Sequence, residues 1–174
     1  MQKKGLTALA LQKFKKSFWG VLSFWFIVFL ALVSVFAYVL APDNSQFANQ
    51  MHLSIHSKHP GFAVEMLVVP NTLTEDQGFL NRVFFGIKNP SSEIPISSHT
   101  LAPHQIKYVE YAAEGLIGLE KTIEIPVDKE ATLHPFVTQK IFYFGTDKYG
   151  RDLLSRILVG ARISFSLGFV AVFI

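Results

Sequence analysis

The sequence of 174 residues contains no cysteine. That excludes disulfides and thiolate metal sites, and it leaves the compartment open. Charge is scarce: Asp, Glu, Lys and Arg make up 17% of the chain, against 50% hydrophobic residues. No Gly-x-x-x-x-Gly-Lys-Ser/Thr run occurs, so the chain cannot cradle ATP phosphates by that route. No Ser and His fall at the spacing of a nucleophile–base pair, and an enzyme reading has no positive support. The net charge is only +3, and no basic stripe with interleaved aromatics gives a reason to invoke nucleic acid. There is neither an internal repeat nor a low-complexity tract.

What is present is apolar. Phe alone occurs 17 times, a composition that points to a membrane protein with a polar part. Residues 1–17 hold Lys3, Lys4, Lys13, Lys15 and Lys16 and no acid. A basic tail directly before an apolar run is a topogenic signal that keeps the N-terminus cytoplasmic, and it can also touch anionic lipid headgroups. From Phe18 to Ala41 no charge occurs. A helix over that run is roughly 36 Å long, enough to cross a hydrocarbon core of about 30 Å with some tilt. Trp19 and Tyr38 stand near its two ends, where aromatic rings favour the interface. Pro42, Asp43 and Asn44 then stop the helix. A signal peptide competes with this reading, but the run exceeds an ordinary signal core and Val39-Leu40-Ala41 is only a passable cleavage site.

Residues 42–144 form a polar segment too long to be a simple connector, so it should fold on the far side of the membrane. Three to five short strands are expected in a small, open sheet. Alternation suggests strands at Arg82–Lys88 and Thr122–Val127, with others at Phe62–Val69 and Gln105–Ala112. Breakers fall at Pro70-Asn71, at Asn89-Pro90-Ser91-Ser92, at Pro103 and at Gly115 and Gly118. Thr72 with Glu75 offers a short helix start. His52, His56 and His59 would share one face of a helix and could there bind zinc or nickel. Pro60 and Gly61 follow at once, however, and no carboxylate completes the set. His99, His104 and His134 are isolated and read as solvent-facing.

The stretch from Gly145 to Gly168, GTDKYGRDLLSRILVGARISFSLG, is the most specific in the chain. Gly145 and Gly150 suit turn conformations with positive φ. Thr146 or Asp147 can cap the helix that follows. Leu153, Leu154, Ile157, Leu158 and Ala161 mark one helical face, and Asp152 stands four residues before Arg156, the favourable order for an ion pair. Gly160, Ser164 and Gly168 form a row of small residues that lets another helix approach in lipid. Arg151, Arg156 and Arg162 lie at a helix end, where they can snorkel to the interface. They suit either simple anchoring or an elbow helix at the outer surface that contacts a partner. Ile163 to Ile174 alone is about 18 Å of helix, too short to span. It reads as the start of a second membrane helix in a longer protein.

The pattern met at Gly145, Thr146, Asp147, Gly150, Arg151, Asp152, Ser155, Arg156, Gly160, Arg162, Ser164 and Gly168 resembles the segment entering the second membrane helix of the permeases of peptide and nickel ABC importers, specifically the C-type subunit. The anchor followed by APDN resembles this family more loosely. The long middle segment departs from it. Permeases of this class dock their ATPase through a cytoplasmic Glu-Ala-Ala-x-x-x-Gly loop. Glu110-Tyr111-Ala112-Ala113-Glu114-Gly115 is not that loop, since Tyr111 interrupts it and it lies on the wrong side of the membrane, and it reads as strand and turn.

The resemblance implies a second permease subunit, ATP-binding ABC subunits that hold the ATP in place of this chain, an extracytoplasmic substrate-binding protein and a bacterial inner-membrane location. The expected fold class is a set of α-helical transmembrane segments with a small β-rich extracytoplasmic domain inserted between the first and second helix. The expected divisions are a basic tail over 1–17, a first span over 18–41, the β-rich domain over 42–144, a turn and interfacial helix over 145–162 and the start of the second span over 163–174. Lacking the coupling loop, these residues are not expected to transport alone. The competing expectation is a single-span anchored extracytoplasmic sensor or envelope-assembly module, which leaves the motif unexplained.

Overall fold

A computed structural model describes residues 5–69, 78–88, 91–102, 105–112, 116–124 and 136–174. The basic segment is helical: α1 runs Leu6–Lys16, with Lys13, Lys15 and Lys16 in its last turn, where cations complement the helix dipole. The chain then turns at Ser17, whose extended backbone interrupts the helix and whose hydroxyl accepts the Gly20 N–H at 3.2 Å. Ser17 thereby caps α2, Phe18–Val35. Phe14 folds back edge-on to Phe24, with ring centroids 6.1 Å apart. Its ring lies 3.3 Å from where a Cβ on Gly20 would stand, so the missing side chain makes room for the bend.

Residues 18–41 do not form one helix. The backbone breaks at Phe36, and a further turn, α3, covers Ala37–Leu40. The break separates two environments. On α2, Phe24, Trp25, Phe26, Ile27 and Phe29 are all exposed, whereas Ala37 and Tyr38 on α3 are buried. Tyr38 is therefore not an exposed interfacial ring. It packs with Ala48 and Val159. Short 3₁₀ turns follow at Gln46–Ala48 and Leu53–Ile55.

The middle of the chain builds one antiparallel sheet from β1 (Phe62–Val69), β2 (Ser92–Ala102), β3 (Gln105–Glu110), β4 (Glu120–Glu124) and β5 (Val137–Phe142), in the spatial order β4-β3-β2-β1-β5. Alternate residues of a strand face opposite ways, and β1 uses both faces. Leu67 joins Ile96, Ile106 and Tyr108 on one side. Val64 and Met66 join Ile55 and Phe142 on the other. β1 lies between β2 and the edge strand β5, and its first residue pairs with the last of β5, Phe62 with Phe142. The Gly61 N–H donates to the Phe142 carbonyl at 2.9 Å and closes the base of the sheet. The sheet is thus an excursion that leaves and returns at one point.

Several local expectations are corrected. Arg82–Lys88, whose alternation predicts a strand, lies mostly in a helix, α4, Phe79–Phe85. Gly86 ends that helix at φ 70, packed so closely against Tyr38 that a Cβ would stand 2.9 Å from its ring. β2 begins at Ser92, inside the stretch whose Pro and Ser residues predict a break, and it carries Pro95 opposite Met66. β5 has no counterpart among the expected strands. The Phe62–Val69 strand forms over its expected bounds, and β3 ends at Glu110, two residues short of Ala112. Glu110 pairs with Lys121 at 2.7 Å. Of the Thr122–Val127 expectation, Thr122, Ile123 and Glu124 belong to β4, and the remainder lies outside the described residues. So do Thr72 and Glu75, His104 and His134, and residues 113–115.

The final helix, α5, runs unbroken over Leu153–Phe173, across the 162/163 division. Both α2 and α5 are long and apolar enough to cross a membrane. They pack against each other, and α5 also contacts α3 and the Gln46–Ala48 turn.

Candidate functional site

Where α5 begins, residues from the two ends of the chain meet in a compact polar knot. Its centre is the loop from Gly145 to Asp152. Both glycines are required there. Gly145 and Gly150 adopt φ 77 and φ 72, and added Cβ atoms would stand 2.2 Å from the Lys58 carbonyl oxygen and 1.8 Å from that of His52. The loop therefore lies backbone to backbone on residues 52–59, a proximity only glycine permits.

Thr146 and Asp147 stitch this contact rather than capping α5. The Thr146 hydroxyl accepts the Lys58 N–H at 2.9 Å and donates to the Ile55 carbonyl at 2.5 Å, while its own N–H reaches the Lys58 carbonyl. The Asp147 carbonyl accepts from the Ser57 N–H at 2.9 Å. Its carboxylate gathers the Tyr149 and Arg151 N–H groups at 2.8 and 3.0 Å and the Arg151 guanidinium at 2.7 Å. Burial works to raise the Asp147 pKa, but the Arg151 side-chain bond and the two backbone N–H bonds outweigh it and hold the carboxyl below its usual 3.8. Arg151 also reaches Asn49 Oδ1 at 3.0 Å and lies over the Tyr149 ring.

The helix cap is Asp152, whose carboxylate accepts the Ser155 N–H at 2.9 Å. The expected ion pair from Asp152 to Arg156 is absent, because the cap occupies Asp152 and buries it. Arg156 instead approaches Asp147 at 3.9 Å. Ser155, fully buried, donates its hydroxyl to Asp152 and accepts the Asp43 N–H at 2.9 Å. Asp43 in turn accepts from the N–H groups of Ser45 and Gln50 at 3.0 and 3.2 Å. Asp43 thus sits between the loop that leaves α3 and the first turn of α5. Neither the capping spacing nor the apolar periodicity identifies this role. The signal available is that a polar pair, Asp43 and Asn44, directly follows the helix-stopping Pro42.

Two turns further along α5, Arg162 reaches away from its own helix. Its guanidinium donates to the carbonyls of Val35 at 3.2 Å, Val83 at 2.9 Å and Phe84 at 2.9 Å, and it stacks over the Tyr38 ring. Val35 ends α2, and Val83 and Phe84 end α4, so one planar cation satisfies carbonyls that two helix ends leave free. The three arginines are thus not equivalent: Arg151 and Arg156 serve the loop, and Arg162 ties helix ends. The row of small residues stands apart from the knot. A Cβ added at Gly160 or at Gly168 meets nothing within 4 Å, and Ser164 and Gly168 line a shallow apolar groove with Ala161, Phe165, Phe169 and Val172.

The three central histidines do not share a helical face. His56 and His59 turn their Nδ1 atoms to the Leu53 and Pro60 carbonyls. His52 is buried with Nε2 3.9 Å from Glu93, which itself pairs with Lys140. Burial, with Lys140 adding to it, pushes His52 below its usual 6.5, against the opposing pull of Glu93 and Asp43. Among the described residues no cluster of His, Asp and Glu is arranged to hold a metal. His99 is not isolated: its Nδ1 lies 3.3 Å from Glu65 across the sheet.

Residues 5–60 match the N-terminal TM domain of oligopeptide transport permease C. A stretch of 32 residues is 59% identical to the glutathione transport system permease protein GsiD of Escherichia coli O6:K15:H31, and equally to those of Shigella flexneri serotype 5b and Salmonella paratyphi A. That stretch is 18% of this chain and only 11% of each relative. No solved structure matches the chain. The matched segment contains α1, α2, α3 and every residue of the knot contributed from before the sheet, so over residues 5–60 the chain is similar to the N-terminal membrane domain of an oligopeptide transport permease.

Proposed function

We propose that the chain forms part of a permease subunit in an ATP-driven importer of peptides or related small solutes, with α2 and α5 as its first two membrane helices. The supporting observation is the knot itself. The loop before α5 and the segment after α3 are joined through Asp43, Thr146, Asp152 and Ser155, so the two membrane-length helices enter from one rigid junction while the sheet hangs from it. ATP-binding subunits, a second permease and an extracytoplasmic binding protein complete the assembly in this reading. ATP-driven closure would bias the permease helices between inward-open and outward-open states. The N-terminus with its lysines lies in the cytoplasm of the bacterial inner membrane, and the sheet lies outside.

The test is uptake of a labelled dipeptide and a labelled oligopeptide by cells from which the coding region has been removed, with plasmid complementation. Loss of uptake is expected, restored by a plasmid that carries the whole permease coding region and not by one that carries residues 1–174 alone. Undiminished uptake of both, and of labelled nickel measured in the same cells, sinks the transport reading and favours an anchored module with one span.

A further inference from the structure

The seven residues of α4 carry four large apolar side chains in the open: Phe79, Leu80, Phe84 and Phe85 are 71%, 68%, 46% and 59% exposed. Such a concentration on one short element marks an interaction surface. Arg162 gives its location. The same guanidinium binds the Val35 carbonyl at the end of α2 and the Val83 and Phe84 carbonyls of α4. The end of α4 is therefore level with the point where α2 ends. From that level the exposed apolar surface continues along both long helices, through Leu32 and Phe29 on α2 and through Ile163 and Leu167 on α5. Residues 78–88 contain no acid, and Lys88 supplies positive charge, which suits phosphate headgroups.

We infer that α4 is an interfacial helix seated in the membrane leaflet into which α2 emerges, with its apolar side chains among the acyl chains. Its partner is the lipid surface. The inference rests on the reading of α2 and α5 as membrane helices and adds a third point of contact supplied by the inserted segment. Leu80 and Phe84, four residues apart, share one face of the helix, while Val83 is buried. Arg162, holding the α4 carbonyls at this level, occupies the depth to which arginine side chains extend from lipid-embedded helices. In consequence the sheet is held close to the bilayer at α4 as well as at the knot.

The absence of cysteine permits a direct test. The full chain is reconstituted in vesicles of phosphatidylethanolamine and phosphatidylglycerol, with a single spin label on Leu80→Cys, Phe85→Cys, Phe29→Cys or Lys107→Cys. Collision with oxygen, which partitions into lipid, is compared with collision with a water-soluble nickel chelate. The labels at Leu80 and Phe85 are expected to favour oxygen, as the label at Phe29 does, while the label at Lys107 on the exposed side of β3 favours the chelate. If the Leu80 and Phe85 labels favour the chelate, or are shielded from both reagents by protein, while Phe29 still favours oxygen, the inference is overturned and the membrane reading of α2 stands. If Phe29 also favours the chelate, both fall.

Discussion

The hydroxyl of Ser155 accepts the backbone N–H of Asp43 at 2.9 Å, joining residues 112 positions apart. Everything between them, the whole sheet and α4, is suspended from this joint. Because Ser155 is fully buried, Ser155→Ala would leave the Asp43 N–H without an acceptor and remove a partner from Asp152. A loss of about 1–3 kcal/mol is expected, visible as a lower unfolding midpoint of the detergent-solubilised chain. An unchanged midpoint would show that the joint carries no strength.

Glycine at positions 145 and 150 is expected to be irreplaceable. Gly150→Ala sets a Cβ against the His52 carbonyl and holds alanine at positive φ. It should cost at least the roughly 1–3 kcal/mol of a strained backbone position. Gly160→Ala, where the added methyl meets nothing within 4 Å, should leave the unfolding midpoint of the same chain where it was. Equal effects from the two changes would contradict the packing described.

Replacement of Arg162 by Lys keeps the charge and removes the fork. The three carbonyls at Val35, Val83 and Phe84 cannot all be reached by one ammonium, and hydrogen bonds to charged groups are worth about 1.5–3 kcal/mol. Amide hydrogen exchange across Phe79–Gly86 should quicken in Arg162→Lys, while exchange in β1 and β2 stays as it was. Exchange that is unaltered in α4 would mean that Val83 alone holds the helix.

The two perturbed groups of the knot predict an acid response. His52 is pushed below 6.5 in the folded chain, so below pH 6.5 the unfolded chain takes up a proton that the folded chain refuses. Stability is present in full above that pH and falls as pH drops toward the lowered folded value. Asp147 behaves alike at lower pH: its folded pKa lies below 3.8, and its contribution is lost as pH falls from there through the folded value. A His52→Gln variant should lack the first decline and keep the second. A stability profile identical to that of the parent below pH 6.5 would count against the burial of a neutral imidazole.

The places where local pattern and final structure part share one cause. Arg82–Lys88 alternates as a strand does, yet Val83 is buried as part of a helix beside α3, because tertiary contact with Tyr38 and Arg162 decides between two periods that seven residues cannot separate. Thr146 and Asp147 have the chemistry of helix caps, but the backbone of residues 55–58 reaches them first. Asp152 can form either an ion pair or a cap. The cap prevails because burial makes an unpaired helix N–H more costly than a solvated arginine. His52, His56 and His59 share a face only on a helix, and Pro60 and Gly61 follow a segment that is not one.

The apolar run after the lysines, the strand Phe62–Val69 and the Gly-Thr-Asp motif are properties of short stretches, since hydropathy, alternation and glycine's conformational freedom act over a few neighbouring residues. Those features were decided by the amino-acid order alone. What the motif residues are for was decided only by the fold. Asp43 and Ser155, Gly150 and His52, and Arg162 with Val35 and Val83 are distant in the chain, and a hydrogen bond or a backbone contact forms only when the sheet between them has folded back on itself and brought both partners within 3 Å or so of each other.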